Sequence, residues 1–358
     1  MKRYTENDSL WVRLQKEERP IFLYGTGNGA DKILDVCTRF SIPVEGVFAS
    51  SDFVRSRTFR EMPVQSIDMI REKYGDDIVV LLAFGTTLSS VAENIKAIAE
   101  KHTLFIPEVP LYGTDLFTYE YYLEHLEEIE SAYELFADER SKQVYEDMIG
   151  FRLSGEPKFL ANAEPIAVSY KDLLANKDVF YAVDCGAYKG DSTQMMVDTL
   201  RPWNIVAVEP DPKTFLKLSA YAENETRSTV TCINAAVGKE DTTAIFMASA
   251  SRGSGKEGLS KSAKTREVSV RSVDSILEGE IIDLLKLDVE GDEKDALLGA
   301  LETIRCSQPN LAVSVYHRTG DIFELTLMVK EMLPDFQLYL RREACIPAWD
   351  ITLFAVRN

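Results

Sequence analysis

The C-terminal half of the chain alternates short apolar runs with helix-length stretches. Residues 181–183, 205–208, 229–233, 282–287 and 310–315 are rich in Val, Ile and Leu, and most end on a polar residue. Apolar runs of this kind, separated by helical patterning, predict strands of a parallel sheet buried on both faces. The N-terminal part repeats the theme on a smaller scale. A strand at 20–24 enters the turn Gly25-Thr-Gly27-Asn28, a helical run follows to Phe40, and strand-like segments recur at 44–48 and 78–84. Between the two parts, Tyr119, Tyr122, Leu123, Leu126, Ile129, Tyr133 and Phe136 recur at spacings of three and four, which predicts an amphipathic helix pair.

The expected organisation is therefore α/β throughout. A Rossmann-like unit spans residues 1–114, an acidic helical connector 115–178, and a larger Rossmann-like sheet domain 179–358. With 358 residues, each α/β unit can bury a core of its own. Residues 115–150 hold 11 acids and 2 bases, which is half of the net charge of −18. The connector's aromatic stripe is a candidate homo-oligomer contact. The overall charge argues against nonspecific nucleic-acid binding. The longest apolar run, 78–84, is far shorter than the roughly 20 residues of a membrane span, and the first residues lack the apolar core of a signal peptide. The cysteines at 37, 185, 232, 306 and 345 form no C-x-x-C pair. A cytoplasmic protein without a membrane span is the expectation.

The strand at 181–183 carries the most specific chemistry. It ends on Asp184 and leads through Gly186, Ala187 and Gly190 into a helix beginning near Ser192, and the next strand ends on Glu209, 19 positions beyond Gly190. Glycines permit close backbone approach and a tight turn, and exposed N–H groups at a helix start favour an anionic group. An acid at the next strand end is placed to accept both hydroxyls of a ribose. The spacing is G-x-x-x-G rather than the G-x-G-x-x-G of dinucleotide folds, and Asp184 would repel a pyrophosphate. An acid there suits a ligand with a cationic amine, such as S-adenosylmethionine; the alternative is that Asp184 only caps the turn. Asn234, ending the third strand, is in reach of an adenine edge. The N-terminal Gly25-x-Gly27-x-x-Ala30 turn fits a looser dinucleotide fingerprint. No acid ends its second strand at Phe48, however, and Asp52 lies four residues on. A docking scaffold is the preferred reading of that unit.

The strand ends Asp184 to Thr193, Glu209-Pro210, Lys286 to Glu293 and Tyr316-His317 together resemble the FkbM family of S-adenosylmethionine-dependent methyltransferases. The family pattern is D-x-G-A-x-x-G-x-x-[ST], then E-P, then K-[IL]-D-[VI]-E-G-x-E, then a last strand before Tyr-His. The resemblance covers roughly residues 180–357 and is most specific at Lys286-Leu-Asp-Val-Glu-Gly291. Cys185, where Val or Ile is more usual, and Asp292, where Ala is more usual, depart from it. The resemblance implies a class I methyltransferase sheet, closed by strands at 336–341 and 351–356, and O-methylation of a sugar or glycan-like hydroxyl. It implies Asp288 at the cofactor's methionyl end. Lys286 lies on the same face and can pair with Asp288 or Glu290. His317 is the expected proton acceptor. No metal is expected, the alternative being a divalent ion held by Asp288, Glu290 and Glu293; Glu293 also reads as a first-turn helix charge. His102 and His125 are read as structural. Residues 251–267, with 5 bases and 2 acids, read as a mobile hairpin tip or as a lid over an anionic acceptor. The rival readings are a nucleotide-binding oxidoreductase or sugar-nucleotide enzyme centred on Gly25-Thr-Gly27, and a non-catalytic module of a glycan assembly complex.

Overall fold

The computed structural model describes residues 1–50, 58–248 and 264–357. Asp52 and most of the basic segment 251–267 lie outside these residues. Six strands form the first sheet: β1 (Ile21–Tyr24), β2 (Gly46–Phe48), β3 (Thr58–Phe59), β4 (Met62–Gln65), β5 (Val79–Leu82) and β6 (Thr103–Phe105). Their order is β3-β4-β2-β1-β5-β6. All pairings are parallel except the β3–β4 hairpin. β1 and β5 are buried along their whole length, as continuous apolar strands between two helix layers must be.

The second large sheet uses β7 (Tyr181–Cys185), β8 (Asn204–Val208), β9 (Thr229–Ile233), β13 (Leu284–Leu287), β14 (Asn310–Ser314), β15 (Gln337–Arg342) and β16 (Ile351–Val356). Its order is β15-β16-β14-β13-β7-β8-β9. The five central and edge strands from β14 to β9 run parallel, while β16 is antiparallel to both β14 and β15. This is the seven-stranded class I methyltransferase arrangement expected from the sequence. Register puts Asp184 level with Lys286 on one side and Ala207 on the other, so the carboxyl ends of β7, β8 and β13 meet at one rim. Ligands bind at that rim in open α/β sheets. A three-stranded sheet of β10 (Ala236–Val237), β11 (Thr242–Ala248) and β12 (Lys264–Arg271) follows β9, with β11 and β12 antiparallel.

Over the stretch expected to form a helix pair the chain forms three helices, Tyr119–Glu124, Leu126–Glu134 and Glu139–Ser154, the first two breaking at His125, and a fourth, Ile166–Leu174, precedes β7. Asp138 caps the third by accepting from the Ser141 N–H at 2.8 Å, and Gly155 ends it in the left-handed region. From Asp147 to Ser154 every residue of that helix is buried. That half of the helix is core, while Glu139, Arg140 and Gln143 in its first half are exposed. The aromatic stripe also points inward: Tyr122, Ile129 and Phe136 are buried in the largest apolar cluster, and Tyr119, Leu126 and Tyr133 pack against it. Of the stripe, Leu123 stays exposed.

The first sheet's loops rest on the second sheet's rim. Thr86 and Ile346 exchange backbone hydrogen bonds of 2.6 and 3.1 Å. Trp349 lies so close to Gly85 that an added Cβ would come within 2.3 Å of its ring. Among the described residues no helix is long and apolar enough to cross a membrane.

Candidate functional site

The turn after β7 is tied to its neighbours by backbone bonds. The Gly186 and Ala187 N–H groups both donate to the Val208 carbonyl, at 2.9 and 3.0 Å. Gly186 adopts φ +79, and a Cβ there would meet the Asp288 carbonyl oxygen at 1.8 Å. The close approach that requires glycine is thus to the β13 strand end. Gly190, φ +96, allows the Tyr221 ring to pack against it, as a tight helix approach demands.

Asp184 is fully buried and its carboxylate is engaged within the protein. Oδ2 accepts from the Ser192 and Thr193 hydroxyls, both at 2.7 Å, and Oδ1 lies 3.0 Å from Lys286 Nζ. Lys286 Nζ also donates to the Gly186 carbonyl at 2.9 Å and sits 3.8 Å from Asp288 Oδ2. Burial works against the ammonium, but Asp184 and then Asp288 hold its pKa above the ordinary value. The strand-end acid thereby fixes the turn and the lysine, and the lysine links it to Asp288.

Glu209 follows β8 with its side chain in the cleft. Oε1 accepts from the Asp211 N–H at 2.8 Å and Oε2 from the Tyr188 N–H at 3.1 Å. A carboxylate offers about four lone-pair sites, so each oxygen keeps capacity for one further donor. Burial pushes this carboxyl up to about 7, against those two N–H groups. The Asn234 amide donates to the Glu209 and Pro210 carbonyls at 2.8 and 3.2 Å. Its N–H2 group is therefore spent on holding the Glu209 loop.

Beyond β13 the chain Asp288-Val-Glu-Gly-Asp-Glu293 curls back on itself, with φ +59 at Glu290 and +96 at Gly291. The buried Glu293 carboxylate closes the curl by accepting from the Val289 N–H at 2.8 Å and the Gly291 N–H at 3.1 Å. His317 sits beside it, only 1% exposed. Nδ1 is 2.9 Å from Glu293 Oε1, while Nε2 is 3.6 Å from Glu290 Oε2 and 3.7 Å from Asp288 Oδ1. The Nδ1 contact is an ion pair by distance, though its direction falls short of a hydrogen bond. Burial disfavours the imidazolium, but Glu293 and then Glu290 and Asp288 outweigh it and push His317 up to about 10. Tyr112, from the loop after β6, donates its hydroxyl to Glu290 Oε2 at 3.0 Å, and burial raises the Glu290 carboxyl.

These strand ends surround a cleft of about 370 Å³. Of the residues expected at the site, Gly186, Ser192, Glu209, Lys286, Asp288 and Glu290 line it; Asp184, Ala187, Gly190, Asn234 and His317 do not, and shape it from behind. The wall includes residues that no local pattern announced: Leu111 from the N-terminal part, Tyr170 from the helix Ile166–Leu174, and Glu343, Trp349 and Asp350 from the β15–β16 connection. Cys185, the departure after Asp184, is buried, and burial together with the Asp184 charge pushes its thiol up to about 12, so it packs as an inert small side chain.

Asp288, Glu293 and His317 bring ligand-type atoms within 4.8 Å of one another. As the side chains stand, Glu293 faces Nδ1 while Asp288 and Glu290 face Nε2, so the carboxylates of the alternative metal set pair with the imidazole.

The sheet order and the rim cleft define a class I, Rossmann-like methyltransferase fold. Residues 184–342 match the family model described as the methyltransferase FkbM domain. The C-terminal half of the chain thus carries an FkbM methyltransferase domain, whose cofactor is S-adenosylmethionine. A solved FkbM methyltransferase from Methylobacillus flagellatus KT matches with a TM-score of 0.72 and 20% identity, covering 96% of this chain and 92% of that one. At that identity the likeness shows the fold, and it takes in the N-terminal sheet and the helices. The Aeropyrum pernix fibrillarin solved with bound S-adenosyl-L-methionine (14% identity, 53% of this chain, 73% of that one, TM-score 0.33) and a Streptococcus mutans putative methyltransferase with SAH (13%, 55% and 98%, 0.34) are matches too low to say more about this chain. Among curated proteins none matched the sequence.

The residues present fit the cofactor. The cleft at the rim is open, a glycine turn borders it, and a carboxylate held by two N–H groups keeps acceptor capacity there.

Proposed function

We propose that this chain methylates a hydroxyl of a sugar, glycan or similar hydroxyl-rich acceptor, in a cytoplasmic setting. S-adenosylmethionine supplies an activated methyl on a sulfonium, so the protein's share is orientation and removal of the acceptor's proton. The observation that supports the reading most is the division of the cleft along the sheet order. Gly186, Ser192 and Glu209 stand over β7 and β8, where Glu209 would hold the ribose. Glu290, Tyr316, Glu343, Trp349 and Asp350 stand over β13, β14 and β16, with Asp288 between the two groups. Carboxylates beside a tryptophan suit sugar hydroxyls and a sugar's apolar face. Lys286 is the one base among the described residues lining the cleft, and it is paired with Asp184; that favours a neutral acceptor over an anionic one.

Asp288, 34% exposed and facing the cleft, is the group placed to take the acceptor's proton. The sequence favoured His317 for that role. Its ring lies behind the wall and is held protonated by three carboxylates, which leaves it no lone pair to offer in this state. Lys286 and His317 then act on Asp288 by position and charge. Residues 1–114 serve as a docking unit that completes the acceptor wall, 115–178 as a bridge, and 179–358 as the catalytic unit.

The test is transfer of a labelled methyl group to a panel of methyl glycosides, amino sugars and sugar phosphates. Neutral glycosides should accept it, and Asp288→Asn should lower turnover by about 10²–10⁴. Transfer confined to amine or carbon acceptors would sink the reading, and so would wild-type turnover in the Asp288 variant.

A further inference from the structure

We infer that Glu293 is a positioning residue, which fixes the His317 ring so that Nε2 is aimed at Asp288 and Glu290. Three observations carry it. The carboxylate is itself immobilised, by N–H groups from Val289 and Gly291 on the same curl. It is 1% exposed and lies 2.9 Å from Nδ1, so the ring's far side is anchored to a buried charge. The curl that places it needs left-handed backbone at Glu290 and Gly291, a strained arrangement for Glu290. A surface helix charge at the start of Glu293–Leu298 would need none of these.

A chain of contacts results: Val289 and Gly291 hold Glu293, Glu293 holds His317, and His317 faces the two cleft carboxylates from behind. The other groups near the ring agree with a cationic, oriented imidazole. Tyr316 and Tyr112 rings pack on it, and the Tyr316 hydroxyl donates to Asp288 Oδ1 at 3.5 Å. Asp321, pushed up to about 7 by burial and by the Glu293 charge, also feels the His317 charge, which works the other way. An oriented histidine behind a cleft acid preorganises that acid's direction and charge for proton transfer. The consequence for turnover rests on the methyl-transfer reading, whereas the ring's anchoring does not.

The chain has three histidines, so ring-nitrogen NMR on histidine-labelled protein resolves His317, with His317→Gln assigning the signal. At pH 7.5 the wild-type Nδ1 should carry a proton. In Glu293→Gln the second ring proton should be lost at that pH, the ring becoming a mixture of neutral tautomers. Turnover should fall about 10–100-fold with S-adenosylhomocysteine affinity unchanged, and Glu293→Asp should recover part of it. A bare wild-type Nδ1 at pH 7.5 overturns the inference without any variant, which covers the case of a variant that fails to fold. An identical ring spectrum in Glu293→Gln also overturns it. A correctly anchored ring in a protein that transfers no methyl group would leave this inference standing and remove the functional reading instead.

Discussion

Two strand–glycine–helix turns occur in this chain, and they are built alike in backbone but not in chemistry. After β1, Gly25 adopts φ +125 and the helix Asn28–Arg39 follows; after β7, Gly186 adopts φ +79 and the helix Asp191–Thr199 follows. In the C-terminal turn the next strand ends in Glu209, the strand on the other side brings Lys286 and Asp288, and a cleft opens among them. In the N-terminal turn the equivalent places are aromatic. Tyr24 stacks on Phe48 at 4.7 Å between ring centres, and Phe84 stands edge-on to Tyr24 at 4.9 Å. A Cβ on Gly25 would meet Phe84, and one on Gly29 the Ala83 carbonyl. The glycine turn sets where a helix can start, while the side chains ending the neighbouring strands decide whether a ligand site exists there. The N-terminal turn puts its strand ends into packing, and the loops of its unit instead bring Leu111 to the cleft wall, Tyr112 to Glu290, and Gly85 and Thr86 against the β15–β16 connection.

Substituting each turn in the same way should separate them most sharply. Gly186→Ala places a methyl against the Asp288 carbonyl in left-handed backbone, and should cost about 3–4 kcal/mol of stability in denaturant unfolding. A cost below about 1 kcal/mol would mean the β7–β13 contact is looser than described. Next in size, Glu209→Ala should weaken S-adenosylhomocysteine binding by about 1–3 kcal/mol in calorimetric titration, since a charged acceptor for the ribose hydroxyls is lost.

The same carboxyl sets a pH dependence. With a pKa of about 7 in the folded protein, Glu209 is largely protonated at pH 6 and ionised at pH 8. Cofactor affinity should fall by up to about tenfold from pH 8 to pH 6, and be flat across that range in Glu209→Gln. The stability effect has the opposite sign. Between the ordinary value of 4.5 and about 7 the folded state keeps a proton that the unfolded chain has released, so this group lowers unliganded stability as pH rises through that window. The smallest effect belongs to the other turn. Gly27 has no atom near a would-be Cβ, so Gly27→Ala should change stability by less than about 0.5 kcal/mol and leave cofactor binding intact. Calorimetry should also detect no NAD(H) binding at that turn.

The sequence announced what depends on local order: the strands, the two turns, Glu209 at its distance from Gly190, and Lys286-Leu-Asp288 facing the rim. It says less about which partners a polar side chain takes within the fold. Asp184 read as a ligand contact and is taken by Ser192, Thr193 and Lys286; Asn234 read as an adenine contact and holds the Glu209 loop. Those outcomes depend on partners about 100 and 25 residues away, or on one turn of helix, and spacing cannot rank them. Trp349 and Asp350 were unreadable as cleft residues for a related reason: only the docking of Gly85 and Thr86 onto the β15–β16 connection sets where that loop lies. The burial of Asp147–Ser154 is hidden from sequence reading because a stretch buried all round leaves no amphipathic stripe.

A crystal structure of the protein grown with S-adenosylhomocysteine tests the central claim most directly. The account predicts one ligand per chain at the second sheet's rim, with both ribose hydroxyls about 2.7 Å from the Glu209 carboxylate oxygens and the homocysteine end reaching toward Asp288. Ligand density at the Gly25–Asn28 turn, or at the rim with its ribose turned away from Glu209, would contradict it.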